Sequence, residues 1–247
     1  MKSTDILFGI RPLTEAIEAG KTIDKVLIQK GLQGDLAKEA LNLTRAHEIA
    51  VQFVPAQKLN RITQKNHQGV ITYISPVEFQ DLENVILQVF EEGRTPLLMI
   101  LDRITDVRNF GAIARTAECH GVDALIIPQK GAAQLNEDAV KTSAGALMQL
   151  NVCKVASLRD TLKTLKNYGI SIVAASEKAS ETPDKVDLTQ PTALIMGSEE
   201  DGVHPELLRY TEHQLQIPMS GKIASLNVSV AAGILLYETL RQRRLNS

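Results

Sequence analysis

Ile217-Pro218-Met219-Ser220-Gly221-Lys222-Ile223-Ala224-Ser225-Leu226-Asn227-Val228-Ser229-Val230-Ala231-Ala232-Gly233 is the stretch on which the reading of this chain turns. A short apolar strand ending near Ile217 runs into a loop of small and polar residues. That loop feeds a long apolar helix. Few side chains stand in the way of a ligand there, so it can lie against bare backbone. Two earlier islands, Leu97–Arg115 and Ala193–Val203, have the same form: a strand, then a polar turn. Three such turns predict one site at one edge of a parallel sheet.

Around these islands the chain alternates between strand and helix patterns. Leu97–Leu101, Ala124–Ile127, Asn151–Val155, Ile170–Ala175, Thr192–Met196 and His213–Ile217 read as strands. The continuous apolar run Leu97–Leu101 suits a central strand buried on both faces. Asn109–His120, Asn136–Leu147, a Ser157-capped segment through Tyr168 and Leu226–Arg244 read as helices, and Pro205–Tyr210 as a helical turn. Repeated strand–helix units predict an α/β fold with a mostly parallel sheet.

The first 75 residues form a separate pattern. Pro12 suits the first turn of a helix and Gly20 its end. Lys25–Gln29, Val51–Val54 and Gly69–Ile74 read as strands, and Asp35 as the cap of an amphipathic helix. The expected organisation is a small α/β domain over 1–75, a linker over 76–96 that includes a short acidic helix at Asp81–Glu92, and a larger domain over 97–247.

Composition narrows the class. Apolar residues make up 44% of the 247, enough for a packed core. The net charge of −2 carries no general polyanion signal. It is unevenly spread, with ten Lys and Arg against seven Asp and Glu in the first 75 residues. A basic front and an acidic rear suit a separate nucleic-acid-reading module. Cys119 and Cys153 sit in apolar surroundings and read as two buried free thiols in a reducing compartment, not a disulfide framework or a metal site. No basic-then-apolar leader occupies Met1–Ile10, and no uncharged apolar run reaches spanning length. The expected compartment is the cytoplasm, with no membrane partner.

Each island has a plain role and a chemical one. Asn109 reads as a helix N-cap, and Gly111 permits close packing. Arg115 reads as a surface or ion-paired residue, or with the helix N-terminus as an anion site. Gly197 directly follows a strand and lets a ligand touch backbone, while Gly202 is expected at positive φ. Glu199, Glu200 and Asp201 read as an acidic turn. Adjacent carboxylates cannot all face one hard cation, so no metal is expected. Ser225 reads as an N-cap, or with Asn227 aims polar groups into a pocket. Lys222 reads as a solvated loop residue. A Gly-x-Ser-x-Gly elbow, a phosphate loop and a Gly-x-Gly-x-x-Gly turn are all missing, which disfavours a hydrolase and an ordinary nucleotide fold.

Together and in this order, Asn109-x-Gly111-x-x-x-Arg115, Met196-Gly197-x-Glu199-x-x-Gly202 and Ile217-Pro218-Met219-x-Gly221-x-x-Ser225-Leu226-Asn227-Val228-Ser229 closely resemble the SpoU (TrmH) family of RNA ribose 2′-O-methyltransferases. Phe8-Gly9-Ile10-Arg11-Pro12 and Asn66-His67-Gln68-Gly69 resemble the substrate-binding domain of its ribosomal-RNA branch. The resemblance implies a C-terminal trefoil knot of the SPOUT type. It implies S-adenosylmethionine bound largely by main chain around Gly197, Ile217, Met219 and Leu226, and a homodimer with its active site near the subunit interface. It assigns chemistry to Arg115, Asn109, Glu199, Ser225 and Asn227, and RNA contact to Arg11, Lys65 and His67. The implied substrate is RNA, ribosomal before transfer RNA, at a guanosine of the large subunit. Two rivals stand beside this reading: an RNA-binding assembly factor without catalysis, and a small-molecule enzyme on a doubly wound sheet.

Overall fold

The fold is taken from a computed structural model that describes residues 6–223 and 225–246. Met1–Asp5 of the segment read for a leader, and Ala224 of the third island, lie outside the described residues. The elements run β1 (Ile6–Phe8), α1 (Ile10–Glu18), β2 (Ile23–Gln29), α2 (Asp35–Ala46), β3 (Val51–Val54), α3 (Ala56–Ile62), β4 (Val70–Ile74), α4 (Leu82–Glu91), β5 (Leu97–Leu101), α5 (Val107–Cys119), β6 (Ala124–Pro128), α6 (Glu137–Thr142), β7 (Asn151–Val155), α7 (Leu158–Asn167), β8 (Ser171–Ala175), β9 (Thr192–Met196), α8 (Pro205–Leu208), β10 (His213–Leu215) and α9 (Val228–Leu245). They divide into two compact units: residues 1–78 with 135–137, and residues 79–134 with 138–247.

The first unit holds a four-stranded sheet in the order β1-β4-β2-β3. β4 is antiparallel to both β1 and β2, while β2 and β3 run parallel. One sheet face buries Val26, Ile28 and Val70 with Ile10, Leu13 and Ala40 from α1 and α2. The other face buries Leu27, Ile71 and Tyr73 with Leu59 of α3. α2 is capped not by Asp35 but by Gly34. Gly34 has φ 92°, a turn into the helix that glycine makes without strain, so Asp35 is already the first helical residue. There its charge still favours the helix N-terminus.

The second unit is built on six strands in the order β10-β8-β9-β5-β6-β7, every neighbouring pair parallel. β5, β6 and β9 are buried along their whole length. That is why they read as unbroken apolar runs rather than alternating ones. α4 lies inside the segment expected to be a linker. Its Leu82, Val85 and Ile86 join Leu98, Ile126 and Ile172 in the core of this unit, so that stretch is a packed layer rather than a free connector. The helix expected over 136–147 breaks after α6, because Gly145 takes a left-handed φ of 87° before a 3-10 turn at Ala146–Met148. Of the two cysteines expected to be buried, Cys119 is instead exposed, on the outer face at the end of α5; Cys153 is buried, and burial pushes its thiol up to about 12, so it stays protonated and inert.

α9 is tied down near its C-terminus by Arg243. Its guanidinium donates to the carbonyls of Thr95 (2.8 Å), Pro96 (2.9 Å), Gln190 (3.0 Å) and Leu188 (3.3 Å). Burial lowers its pKa, yet arginine keeps its proton and all its donors. Arg243→Met removes the donors and strands the carbonyls. It is expected to cost about 3 kcal/mol, from the net worth of charged hydrogen bonds. In a unit of this size that lowers the melting temperature by roughly 6–12 °C, read by thermal circular dichroism.

Candidate active site

In a parallel sheet all strand ends of one kind lie on one edge, so the turns after β5, β8, β9 and β10 share an edge. Between the last three lies a cleft enclosing, with its open mouth, about 630 Å³. Met196, Gly197, Ser198, Glu199 and Gly202 line it from the turn after β9. Leu215, Gln216, Ile217 and Met219 line it from β10 and the loop beyond. Ser225 and Leu226 lead into α9, and Ala175, Ser176 and Glu177 close it from the end of β8. The β8 wall escaped the sequence reading. Its signal was present: Ser176-Glu177-Lys178 after an apolar strand repeats the form of the three islands.

At the rim, three side chains from three islands meet. The Asn109 amide donates to Glu199 Oε1. Asn227 Nδ2 donates to both Asn109 Oδ1 and Glu199 Oε1, each at 3.1 Å. Asn227 Oδ1 accepts from Ser229 N (2.9 Å) and Oγ (2.6 Å), which makes Asn227, not Ser225, the N-cap of α9. Nor is Asn109 a cap. Asp106 caps α5 by accepting from the backbone of Arg108 and Asn109. Asn109 therefore sits in the first turn with its side chain free to cross to Glu199. A chain of amides ending on one carboxylate fixes the direction of that carboxylate's remaining lone pairs.

Two glycines make these approaches possible. A Cβ at Gly111 would overlap the Thr142 side chain, and one at Gly197 would overlap the backbone of Gly202 and Val203. Gly197 thus lets the 197–203 turn fold back on itself. Ser198 and Gly202 pair there through two backbone hydrogen bonds of 3.1 and 2.9 Å, and Gly202 has φ 69°. The three adjacent carboxylates take different partners. Glu199 accepts from the two asparagines and Asp201 pairs with Arg103, while Glu200 joins both of them and Asp106 in lining a second hollow beside the cleft. Among the described residues no group of three or more His, Cys, Asp or Glu is arranged to hold a metal ion.

Arg115 is not in the cleft. It is an exposed residue of α5, six positions and ~9 Å of helix beyond Asn109, and makes no hydrogen bond or ion pair with a described residue. In the first unit Arg11 is exposed on α1, and Lys65 Nζ lies 5.3 Å from the Phe8 ring centre. His67 spends both ring nitrogens inside its own unit, tying its turn to α3. Nε2 bonds Asn60 Oδ1 at 2.9 Å and Nδ1 accepts from Gly69 N at 3.0 Å. Among the exposed cations that sequence reading passed over are Lys58 and Arg61, one turn apart on α3. Residues 49–77 contain no Asp or Glu at all.

The model of the SpoU rRNA methylase family matches residues 96–237. This chain belongs to that family. A second model, RNA 2′-O ribose methyltransferase substrate binding, matches residues 6–80. A Staphylococcus saprophyticus protein named for the TrmH family of tRNA/rRNA methyltransferases is 35% identical over 238 residues, 96% of either chain. Its Bacillus subtilis counterpart YacO is 31% identical over 239 residues, 97% of this chain and 96% of its own. Among solved structures, the SpoU methyltransferase AviRb from Streptomyces viridochromogenes, in complex with AdoMet, is 26% identical with a TM-score of 0.61, covering 98% of this chain and 91% of its own.

As a SpoU methyltransferase the chain is an RNA-modifying enzyme that uses S-adenosylmethionine. The cleft fits that cofactor on its own chemistry. Met196, Leu215, Ile217, Leu226 and Val228 offer apolar surface for a purine. Gly197 and Gly202 expose backbone, and Glu177 and Glu199 offer negative charge to a cationic ligand. No helix among the described residues is long and apolar enough to cross a membrane.

Proposed function

We propose that this SpoU enzyme methylates the ribose 2′-hydroxyl of a guanosine in large-subunit ribosomal RNA, as a cytoplasmic homodimer whose second unit is knotted and holds the cofactor. The observation that carries the reading is the meeting of Asn109, Glu199 and Asn227 at the rim of a cleft fit for S-adenosylmethionine. Bound in the cleft, the cofactor would supply an electrophilic methyl group for the ribose oxygen. What the protein must add is position and a home for the hydroxyl proton.

Gly197, Ile217, Met219 and Leu226, which line the cleft, would hold the donor by backbone and apolar contact. Glu199, Ser225 and Asn227 shape the polar rim. Arg115 already carries its proton at any working pH and has no acceptor site for another. It pairs instead with an RNA phosphate, which accepts the proton, and stabilises the alkoxide as it develops. Its distance from the cleft of its own chain argues that it serves the cleft of a second copy. α9 supports such a pairing: Val230, Ile234 and Tyr237 recur at helical spacing and are 50%, 39% and 62% exposed. An apolar stripe of that kind on a helix marks an interface.

RNA capture falls to the front unit, with Arg11, Lys65, Lys58 and Arg61 on phosphates. His67 holds the turn rather than touching RNA. Lys58→Glu with Arg61→Glu is expected to weaken RNA binding at least about tenfold at 0.1 M salt. The slope of log affinity against log salt should fall by roughly 1.5, with cofactor affinity unchanged. Filter binding across a salt series reads both.

The reading as a whole is tested by mapping 2′-O-methyl sites after incubating undermodified ribosomal and transfer RNA with enzyme and S-adenosylmethionine. A single new site in ribosomal RNA supports it. A new site confined to transfer RNA would move the substrate to that class.

A further inference from the structure

Arg103 stands two residues beyond the end of β5 with φ 60°, in the left-handed region that a residue with a side chain adopts only at a cost. Its side chain accounts for the strain. Nη2 donates to Gly202 O at 2.8 Å and to Asp102 Oδ2 at 3.2 Å, and Nη1 reaches Asp201 Oδ2 at 3.1 Å. Asp102 is buried and itself a splice between two strands. Its amide donates to Met196 O at 2.8 Å, and its carboxylate accepts from His204 N at 2.8 Å. The 197–203 turn is therefore gripped at both ends and at its tip from the end of β5.

We infer that Arg103 is a positioning residue for the cofactor cleft: by clamping Asp201 and Gly202 it holds the turn in the one shape that presents Glu199 to Asn109 and Asn227. The Ser198–Gly202 backbone pair alone leaves a five-residue turn whose tip faces solvent, since Asp201 is 70% exposed at its side chain. A guanidinium anchored on a buried carboxylate removes that freedom before the ligand arrives. The fork geometry matters, because three acceptors in different directions need several fixed N–H groups. The inference rests on the cleft being the cofactor site, and goes beyond it by assigning a residue that lies outside the cleft wall.

Arg103→Gly separates the clamp from the strain, since glycine adopts φ 60° freely. It leaves buried Asp102 without its cation, so it is expected to melt lower than the parent while keeping its circular dichroism spectrum, and to bind S-adenosylmethionine about tenfold more weakly in calorimetric titration below its melting range. Arg103→Lys, with charge but no fork, should fall between the two. In a Glu199→Ala background, Arg103→Gly should add less than about twofold, because the clamp acts through Glu199. Parent-like cofactor affinity in Arg103→Gly overturns the inference, as does a full multiplication of the two effects. Failure of the parent to bind the cofactor would instead overturn the reading of the cleft.

Discussion

Arg115→Ala is expected to lower methyl transfer at least about 100-fold, the scale set by losing one preorganised donor at a developing oxyanion. Cofactor affinity should stay within twofold of the parent, because Arg115 lines no part of the cleft. Stability should hardly change, since the residue is exposed and makes no bond with a described residue. The stronger test is complementation. If Arg115 serves the cleft of a second copy, co-expressing Arg115→Ala with a cleft-dead variant rebuilds one intact site in each mixed dimer. Random pairing then restores about one quarter of the parental activity. If Arg115 acts on its own cleft, the mixture stays dead. Turnover of Arg115→Ala near that of the parent would remove the arginine from the mechanism.

Gly197→Ala supplies the cleft-dead partner and carries the second large effect. The added methyl would overlap the backbone of Gly202 and Val203 rather than a movable side chain. The turn must open, and Glu199 leaves its asparagine partners with it. Overpacking of this kind costs about 1–3 kcal/mol in stability. The cofactor should bind at least about 100-fold more weakly, a loss of roughly 2.7 kcal/mol. Circular dichroism should show the fold retained while calorimetry shows the cofactor lost. Affinity within threefold of the parent would mean that the turn is not the cofactor's cradle.

The strands of the second unit were legible because burial on both faces writes itself into sequence as unbroken apolar runs, as in Leu97–Leu101 and Thr192–Met196. Two elements of the first unit were not. β1 has three residues, too few for any period to show, and α3 has seven. Segment 76–96 was read as a connector because an acidic helix between punctuating prolines looks detached. Only the packing of Leu82, Val85 and Ile86 makes it part of a core.

The candidate site divides in the same way. Which residue types stand after which strand is a local property. Small and polar residues between an apolar strand and an apolar helix mark an exposed turn in any fold, so Asn109, Gly197, Glu199 and Asn227 were visible before any coordinates. Which job each one does is not local. Asp106 and Asn109 can both cap α5, as Ser225 and Asn227 can both cap α9, and helix propensity ranks such pairs as near equals. The choice fell to tertiary structure: Glu199, ninety residues from Asn109 in the chain, is brought within hydrogen-bond reach by the pairing of β9 with β5. The same pairing sets Arg103 against Gly202. Contacts across such separations depend on strand order, and no run of neighbouring residues encodes strand order.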